Sequence, residues 1–139
     1  MTITSNPYLF FDGNCEEAFN FYAALFGGKI NAMMPHEGTP AEGNVPANWK
    51  KKIIHACMSI GNTMLMASDA PPDHSQKPQG FYVHVGVDSA AEAERIYAAL
   101  QKGAQKINMA LAETFWAERF GMLVDRFGTP WMINFPKKM

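Results

Sequence analysis

The sequence contains an internal repeat, and a repeat constrains the fold of a chain more tightly than its composition does. The segment NCEEAFNFYAALFGGKIN, which begins at Asn14, aligns with SAAEAERIYAALQKGAQKIN, which begins at Ser89. The run Tyr22-Ala23-Ala24-Leu25 falls on Tyr97-Ala98-Ala99-Leu100. The chain is therefore predicted to hold two copies of one structural unit.

Each copy is predicted to contain one amphipathic helix. Asn14 and Ser89 are favoured N-cap residues, and Glu17 and Glu92 follow three positions later, where a carboxylate can complete a capping box. Apolar residues then recur at helical spacing, and glycine ends each segment. The predicted apolar stripes are Ala18, Phe21, Tyr22, Leu25 and Phe26 in the first copy, and Ala93, Ile96, Tyr97 and Leu100 in the second.

Strand patterns flank both helices. PYLFF and FYVHVGV precede them; KINAMMP, KKIIHACMSI and TMLMAS follow the first, and KINMAL, RFGMLVD and WMINF follow the second. In FYVHVGV, period two predicts Phe81, Val83, Val85 and Val87 on the helix-covered face and Tyr82, His84 and Gly86 on the opposite face.

The order β-α-β-β-β, read twice, predicts an α+β protein with two units, about 1–70 and 80–139, joined by a Pro-rich linker at 71–79. A curved mixed sheet with one helix leaves its second face bare. Two such sheets are expected to close over those faces and enclose a cavity.

Composition excludes several classes of function. Hydrophobic residues make up 47% of the chain, which is enough for a core, and the formal charge is −1, from 12 basic and 13 acidic residues. Binding to nucleic acid or to an anionic membrane is not expected. The N-terminal residues MTITSNPY do not resemble a signal peptide, and Cys15 and Cys57 form no CxxC pair. We expect a cytoplasmic protein with reduced thiols.

The chain resembles the PhnB-like branch of the vicinal oxygen chelate superfamily, also called the glyoxalase/bleomycin resistance/dioxygenase fold. Three segments carry the resemblance: YLFFDGNCEEAFNFYAALFGGKI at 8–30, HACMSIGNTMLMASD at 55–69, and ETFWAERFGMLVDRFGTPWMINF at 113–135. The resemblance implies paired βαβββ units and a homodimer.

Metal-dependent members of that superfamily hold a divalent ion with His and Glu side chains from both units. In this chain the resemblance places Pro7 or Tyr8, Tyr82, Cys57 and Met132 at those four positions. None of them is a carboxylate or imidazole, which a hard divalent ion requires. We therefore expect no metal centre of the family's kind and no cofactor.

Members of the branch are often labelled 3-demethylubiquinone 3-methyltransferase-like. No glycine-rich turn lies between the first strand and its helix to hold a nucleotide-like cofactor such as S-adenosylmethionine. The label is therefore weak evidence about the chemistry of this chain.

Two histidines are candidates for chemistry. Period two places His84 on the face of Tyr82 and His55 on the face of Cys57, so both are expected to point into the cavity. Each is either a general acid/base or ligand of a shifted metal, or a hydrogen-bonded residue of the cavity wall. His36 and His74 lie in loops and are expected to be solvated.

Two further features leave alternatives open. Arg119, in ETFWAERFG with Glu113 and Trp116, either holds a substrate carboxylate or pairs with Asp125 across a hairpin. Trp49 follows a polar loop and could cover the mouth of the cavity.

The interpretation favoured by these patterns is a protein that binds a small organic molecule without a metal. The candidate ligand-binding residues are Tyr82, His84, His55, Cys57, Trp116, Met132 and Asn134. The alternative is a superfamily enzyme, such as a lyase or dioxygenase, that acts on a small oxygenated substrate. It would use His84 or His55 as a base or as the ligand of a rearranged metal. A purely structural role is the third possibility.

Overall fold

A computed structural model describes residues 2–138 of the chain and divides it after Gln76 into two compact units. The first unit contains β1 (Tyr8–Phe11), α1 (Cys15–Phe26), β2 (Lys29–Pro35), β3 (Ile53–Ile60) and β4 (Thr63–Asp69). The second contains β5 (Val83–Gly86), α2 (Ala90–Gln101), β6 (Lys106–Ala112), β7 (Ala117–Val124) and β8 (Pro130–Pro136). The predicted α+β fold with paired βαβββ units is confirmed.

The two sheets have the same topology. The strand order is β1-β4-β3-β2 in the first and β5-β8-β7-β6 in the second. In each sheet the first strand pairs in parallel with the last, and the other neighbours are antiparallel. The helix bridges the first strand to the next one, so each unit is a mixed sheet with one helix.

Each helix covers one face of its own sheet. In the first unit, Phe19 and Tyr22 of α1 are buried, with the ring of Phe11 packed beside them at 6.4 and 6.5 Å between centroids. In the second, Ile96 and Leu100 of α2 are buried together with Ile133 of β8. Each such side chain contributes at most about 1.5–3 kcal/mol through removal of apolar area from water. The alternate side chains of the strands are left on the open face.

The two helices begin differently, although the repeat predicts the same cap for both. The Ser89 hydroxyl accepts the Glu92 N–H at 3.1 Å, as predicted, whereas Asn14 makes no side-chain capping bond. Asn14 is the N-cap residue, as predicted, but the predicted hydrogen bond from its side chain is wrong. The buried carboxylate of Asp69, at the end of β4, takes that place.

Asp69 holds three backbone segments together. Its Oδ1 accepts the N–H groups of Gly13 and Cys15 at 3.0 and 2.9 Å, and its Oδ2 accepts the Ile53 N–H at 2.8 Å. A carboxylate at a helix N-terminus also interacts favourably with the helix dipole. One acidic side chain therefore connects β4 to the starts of α1 and β3.

The strand β5 is shorter than the pattern FYVHVGV predicts. Phe81 and Tyr82 precede it, and the Phe81 side chain is 48% exposed instead of packed under the helix. Val83 and Val85 are half-buried and His84 and Gly86 are exposed, in agreement with the predicted alternation. Pairing with β8 covers only the four residues from Val83 to Gly86, so Phe81 lies outside the sheet that would bury it.

Cys15 and Cys57 are both free and buried. Helix α1 ends at Phe26, and its C-cap residue Gly27 has a left-handed φ of 66°, which suits glycine. Among the described residues, no helix is both long enough and apolar enough to cross a membrane.

Candidate functional site

The open face of the second sheet carries a histidine–asparagine pair. His84 lies opposite Met132 and Gly86 lies opposite Asn134, so the side chains of His84 and Asn134 are diagonal neighbours. Their Nε2 and Nδ2 atoms are 3.3 Å apart. A Cβ at Gly86 would lie 3.4 Å from Cε1 of His84, so the glycine leaves space for the ring.

The Asn134 side chain has an unpaired polar atom. Its Oδ1 is buried and has no hydrogen-bond partner among the described residues. An amide can be turned about its last bond, which would exchange the oxygen and the nitrogen. In either orientation one polar atom of Asn134 has no hydrogen-bond partner among the described residues.

Apolar side chains surround this pair. Met132 lies opposite Met122, and Asn134 lies opposite Phe120, whose ring is 5.3 Å from the ring of Trp116. Trp116 is 38% exposed and its neighbour Phe115 is 87% exposed. The open face therefore combines adaptable thioethers and aromatic rings with one polar pair.

A cavity of about 540 Å³ opens beside the pair and is lined by His84, Gly86, Val87, Asp88, Glu92, Asn134 and Pro136. Two of its lining residues, Asp88 and Glu92, are acidic. The Arg95 guanidinium donates to Glu92 at 2.7 Å, and this hydrogen bond holds the pKa of the Glu92 carboxyl below its ordinary value. Glu92 is therefore ionised near neutral pH.

The loop that carries Trp116 is braced by polar contacts. The Thr114 hydroxyl accepts the N–H groups of Trp116 and Ala117 at 3.3 and 3.0 Å. The Lys137 ammonium lies 2.9 Å from Glu113, and its hydrogen bond lowers the pKa of that carboxyl. The Lys137 N–H donates to the Trp116 carbonyl at 3.1 Å. These bonds fix the position of Trp116 beside Phe120.

The open face of the first sheet carries His55 and Cys57. The Tyr8 hydroxyl lies 3.3 Å from Nδ1 of His55, and the two rings are stacked with centroids 5.9 Å apart. Cys57 is 7% exposed and pairs with Met66, the residue that also lies opposite Tyr8. The period-two pattern predicted that His55 and Cys57 share a face. It did not predict the contact between Tyr8 and His55.

The candidate residues thus fall into separate groups. The second unit brings His84, Met132 and Asn134 together, with Trp116 joined to them through Phe120. Tyr82 lines a different cavity, of about 320 Å³, with Lys106 and Asn108. Phe120 and Met122 were missed, although the alternation in RFGMLVD is enough to place both on the open face.

The residues at the family's metal positions do not fit a hard divalent ion. Tyr8 contacts His55, Tyr82 precedes its strand, Cys57 is a buried thiol and Met132 offers only a thioether. Within residues 2–138, no three His, Cys, Asp or Glu side chains converge as a metal site requires.

The prediction for His36 is wrong, and so is one of the two alternatives for Arg119, the pair with Asp125. His36 is buried, with 4% exposure, because both its backbone N–H and its ring bond to the Lys52 carbonyl. Arg119 bonds to Glu94 of α2 at 3.3 Å. Arg119 lies six residues before Asp125 along an extended strand. The two residues are therefore about 20 Å apart, which is too far for an ion pair.

Trp49 and Asp125 both have positions inside the fold. Trp49, expected at a cavity mouth, is buried near Gly13. The Asp125 carboxylate is buried and accepts the N–H groups of Phe127 and Thr129 and the indole N–H of Trp131, at 2.9, 3.0 and 2.8 Å. The DRFGTPW segment is therefore a structural turn that precedes the strand of Met132 and Asn134.

Comparison with known proteins agrees with this fold. Residues 4–133 match the sequence model of the Glyoxalase/Bleomycin resistance protein/Dioxygenase superfamily. The chain is 34% identical to Protein YjdN of Escherichia coli K12 over 141 aligned positions, which cover 96% of this chain and 95% of that protein.

Many solved structures are similar to the chain, and two of them illustrate the range. Protein PA1353 from Pseudomonas aeruginosa has a TM-score of 0.86 and 45% identity, over 96% of this chain and 97% of that one. A PhnB protein from Bacillus cereus, which carries a 3-demethylubiquinone-9 3-methyltransferase label, has a TM-score of 0.76 and 23% identity, over 95% and 98%. The second shares the fold and carries the name of the branch that the sequence resembles.

Proposed function

The chain belongs to the Glyoxalase/Bleomycin resistance protein/Dioxygenase superfamily, and on this basis we propose that it binds a small, partly apolar organic molecule on the open face of its second sheet. The observation that carries the proposal is the unpaired, buried Oδ1 of Asn134 beside His84. A buried acceptor without a partner costs about 1–3 kcal/mol. A ligand that donates a hydrogen bond to this atom removes the cost.

The chemistry of the face restricts the ligand. Its polar group should be a hydroxyl or amide that pairs with Asn134, and its apolar part should contact Met132, Met122 and Phe120. The flexible thioethers accommodate several ligand shapes. Because Asp88 and Glu92 line the adjoining cavity, we expect a neutral or cationic ligand in preference to an anion.

The proposal does not extend to methyl transfer. The turn between β1 and α1 contains one glycine, Gly13, and the Asp69 carboxylate accepts the N–H groups of Gly13 and Cys15 there. The start of α1 is therefore not available to a nucleotide-like cofactor. No step of the proposed function involves a metal ion.

Catalysis on a small oxygenated substrate is the second candidate, and the contact between Tyr8 and His55 favours it. A phenol within 3.3 Å of an imidazole can orient the ring, and His55 would then act as a general base. This candidate predicts turnover that is lost in His55→Ala and reduced in Tyr8→Phe. Binding without turnover in the wild-type chain would contradict it.

The binding proposal is tested with a library of small neutral alcohols and amides. Ligands are found by saturation-transfer NMR with the wild-type chain, and affinities are then measured by titration calorimetry. Asn134→Ala should weaken binding about tenfold or more, because the ligand loses its hydrogen-bond partner in a desolvated place. His84→Ala should weaken it as well.

Asn31→Ala is the matched control, since Asn31 bonds to Ser59 on the surface of the first unit and touches none of these residues. Ligands that keep their full affinity for a folded Asn134→Ala chain would overturn the proposal. A library without any binder would do the same. The homodimer implied by the family resemblance stays a prediction, and light scattering on the purified chain tests it.

A further inference from the structure

A second cavity lies entirely in the first unit. It has a volume of about 390 Å³, within the range of small-molecule sites, and Phe10, His36, Ile54, Ser68, Asp69 and His74 are among its lining residues. It shares no residue with the seven candidate ligand-binding residues. Three of its polar residues, His36, Ser68 and Asp69, are more than nine-tenths buried.

His36 lines the cavity and is held by hydrogen bonds of its ring and its backbone. Its backbone N–H and its Nδ1 lie 2.9 and 2.8 Å from the Lys52 carbonyl oxygen, and its own carbonyl accepts the Thr39 hydroxyl at 2.6 Å. A carbonyl oxygen only accepts, so Nδ1 carries a hydrogen. In the neutral ring, Nε2 is then an acceptor.

Ser68 and Phe10 complete the polar and apolar parts of this cavity. They lie opposite each other on β4 and β1. Ser68 is 7% exposed, and its hydroxyl can both donate and accept hydrogen bonds. The Phe10 ring is 57% exposed and lies 5.3 Å from the ring of Tyr8. The cavity therefore offers an acceptor, a hydroxyl and an aromatic wall.

Asp69 sets the charge of the cavity. Both of its oxygens accept backbone N–H groups, from Gly13, Cys15 and Ile53, so the carboxylate supports the fold. Its negative charge disfavours a carboxylate or phosphate ligand in the same cavity. A neutral ligand suits the site better.

We propose that this cavity binds a small neutral hydroxy-aromatic molecule. The ligand hydroxyl donates to Nε2 of His36 and its oxygen accepts from the Ser68 hydroxyl. The aromatic ring of the ligand packs against Phe10 and Ile54. This site is additional to the one on the second sheet and does not depend on it.

The test uses phenol as the probe and toluene as the isostere without a hydroxyl. Each is titrated into the full-length, isotopically labelled chain, and chemical shifts are followed for backbone amides and for the side chains of His36 and Phe10. Phenol should shift signals of His36, Ser68 and Phe10 with one common dissociation constant. Toluene should bind at least about tenfold more weakly, because it makes no hydrogen bond with either polar group.

Two variants test the individual contacts. In His36→Asn the side-chain amide can still donate to the Lys52 carbonyl, but the ring atom Nε2 is gone, so phenol affinity should fall about tenfold. Ser68→Ala should lower phenol affinity and leave toluene unaffected. Ser59→Ala is the control, because Ser59 bonds to Asn31 and does not line the cavity. It should leave both affinities unchanged.

Several outcomes would overturn the proposal. Equal binding of phenol and toluene would show that the hydroxyl contacts are absent, as would unchanged phenol affinity in folded His36→Asn. Shifts confined to His84 and Asn134 would place phenol on the second sheet instead. If His36→Asn does not fold, Ser68→Ala and the phenol–toluene pair still decide the question.

Discussion

Replacement of Asp69 by asparagine should lower the free energy of unfolding by about 3 kcal/mol, through loss of charge-assisted hydrogen bonds. Hydrogen bonds to a charged acceptor contribute about 1.5–3 kcal/mol each, against about 0.5–1.5 kcal/mol for neutral pairs. The asparagine oxygen can still accept the N–H groups of Gly13 and Cys15, which lose about 1 kcal/mol each.

The larger loss is at Ile53. Its N–H, 2.8 Å from Oδ2 of Asp69, would face the NH₂ group of the asparagine and remain buried without an acceptor. Such a donor costs about 1–3 kcal/mol, so the total comes to about 3–5 kcal/mol. Relief from burying a carboxylate offsets part of it, which sets the expected value near the lower end.

Urea unfolding followed by circular dichroism measures this loss, and the two caps provide controls. Ser89→Ala should cost about 1 kcal/mol, since Ser89 caps α2. Asn14→Ala should cost close to nothing, because the Asn14 side chain makes no cap and its Oδ1 is buried without a partner. A loss below about 1 kcal/mol in Asp69→Asn would refute the reasoning, as would equal losses in Asn14→Ala and Ser89→Ala.

Two other predictions follow from packing and burial. A Cβ at Gly121 would lie 3.1 Å from the Tyr97 ring and 3.2 Å from the backbone of Leu111, so Gly121→Ala should destabilise the chain by about 1–3 kcal/mol; Gly43→Ala, with open space around it, should change the unfolding midpoint little. Burial, assisted by the nearby Asp69 and Glu16 carboxylates, raises the pKa of the Cys15 thiol far above its ordinary value of about 8.5. Below a pH of about 8.5 the thiol is protonated in both the folded and the unfolded chain, so its full contribution to stability is present. It falls as pH rises, because only the unfolded chain ionises, by up to about 1.4 kcal/mol per pH unit. Between neutral and alkaline pH, the wild-type chain should therefore lose stability relative to Cys15→Ala. A stability difference that does not change with pH would contradict this expectation.

Much of the fold follows from local patterns. The repeat predicts two helices and two equivalent sheets, because helical and strand periodicities are properties of neighbouring residues. The same alternation places His84, Met132 and Asn134 on one open face, as the structure shows. The same alternation is enough to place Phe120 and Met122 on the open face, although neither was predicted as a site residue.

The errors at His36 and Arg119 share one cause: each side chain contacts a partner that lies elsewhere in the chain. His36 lies in a segment that reads as a solvated loop, yet it is buried against Lys52. Arg119 contacts Glu94 of α2, 25 positions away in the chain. Spacing along one strand cannot indicate such partners.

The sequence by itself determined the repeat, the order of helices and strands, and which side chains share a sheet face, because these depend on period and local preference. Only the tertiary structure decided which groups meet. Asn14 and Ser89 stand at equivalent positions in the repeat, but Asp69 takes over the role of Asn14 and no counterpart displaces Ser89. Only the tertiary structure likewise decided that the oxygen of Asn134 is unpaired and that the ring of His36 is buried. A polar atom becomes a candidate site through its burial and its partners, and both are set by residues far away along the chain.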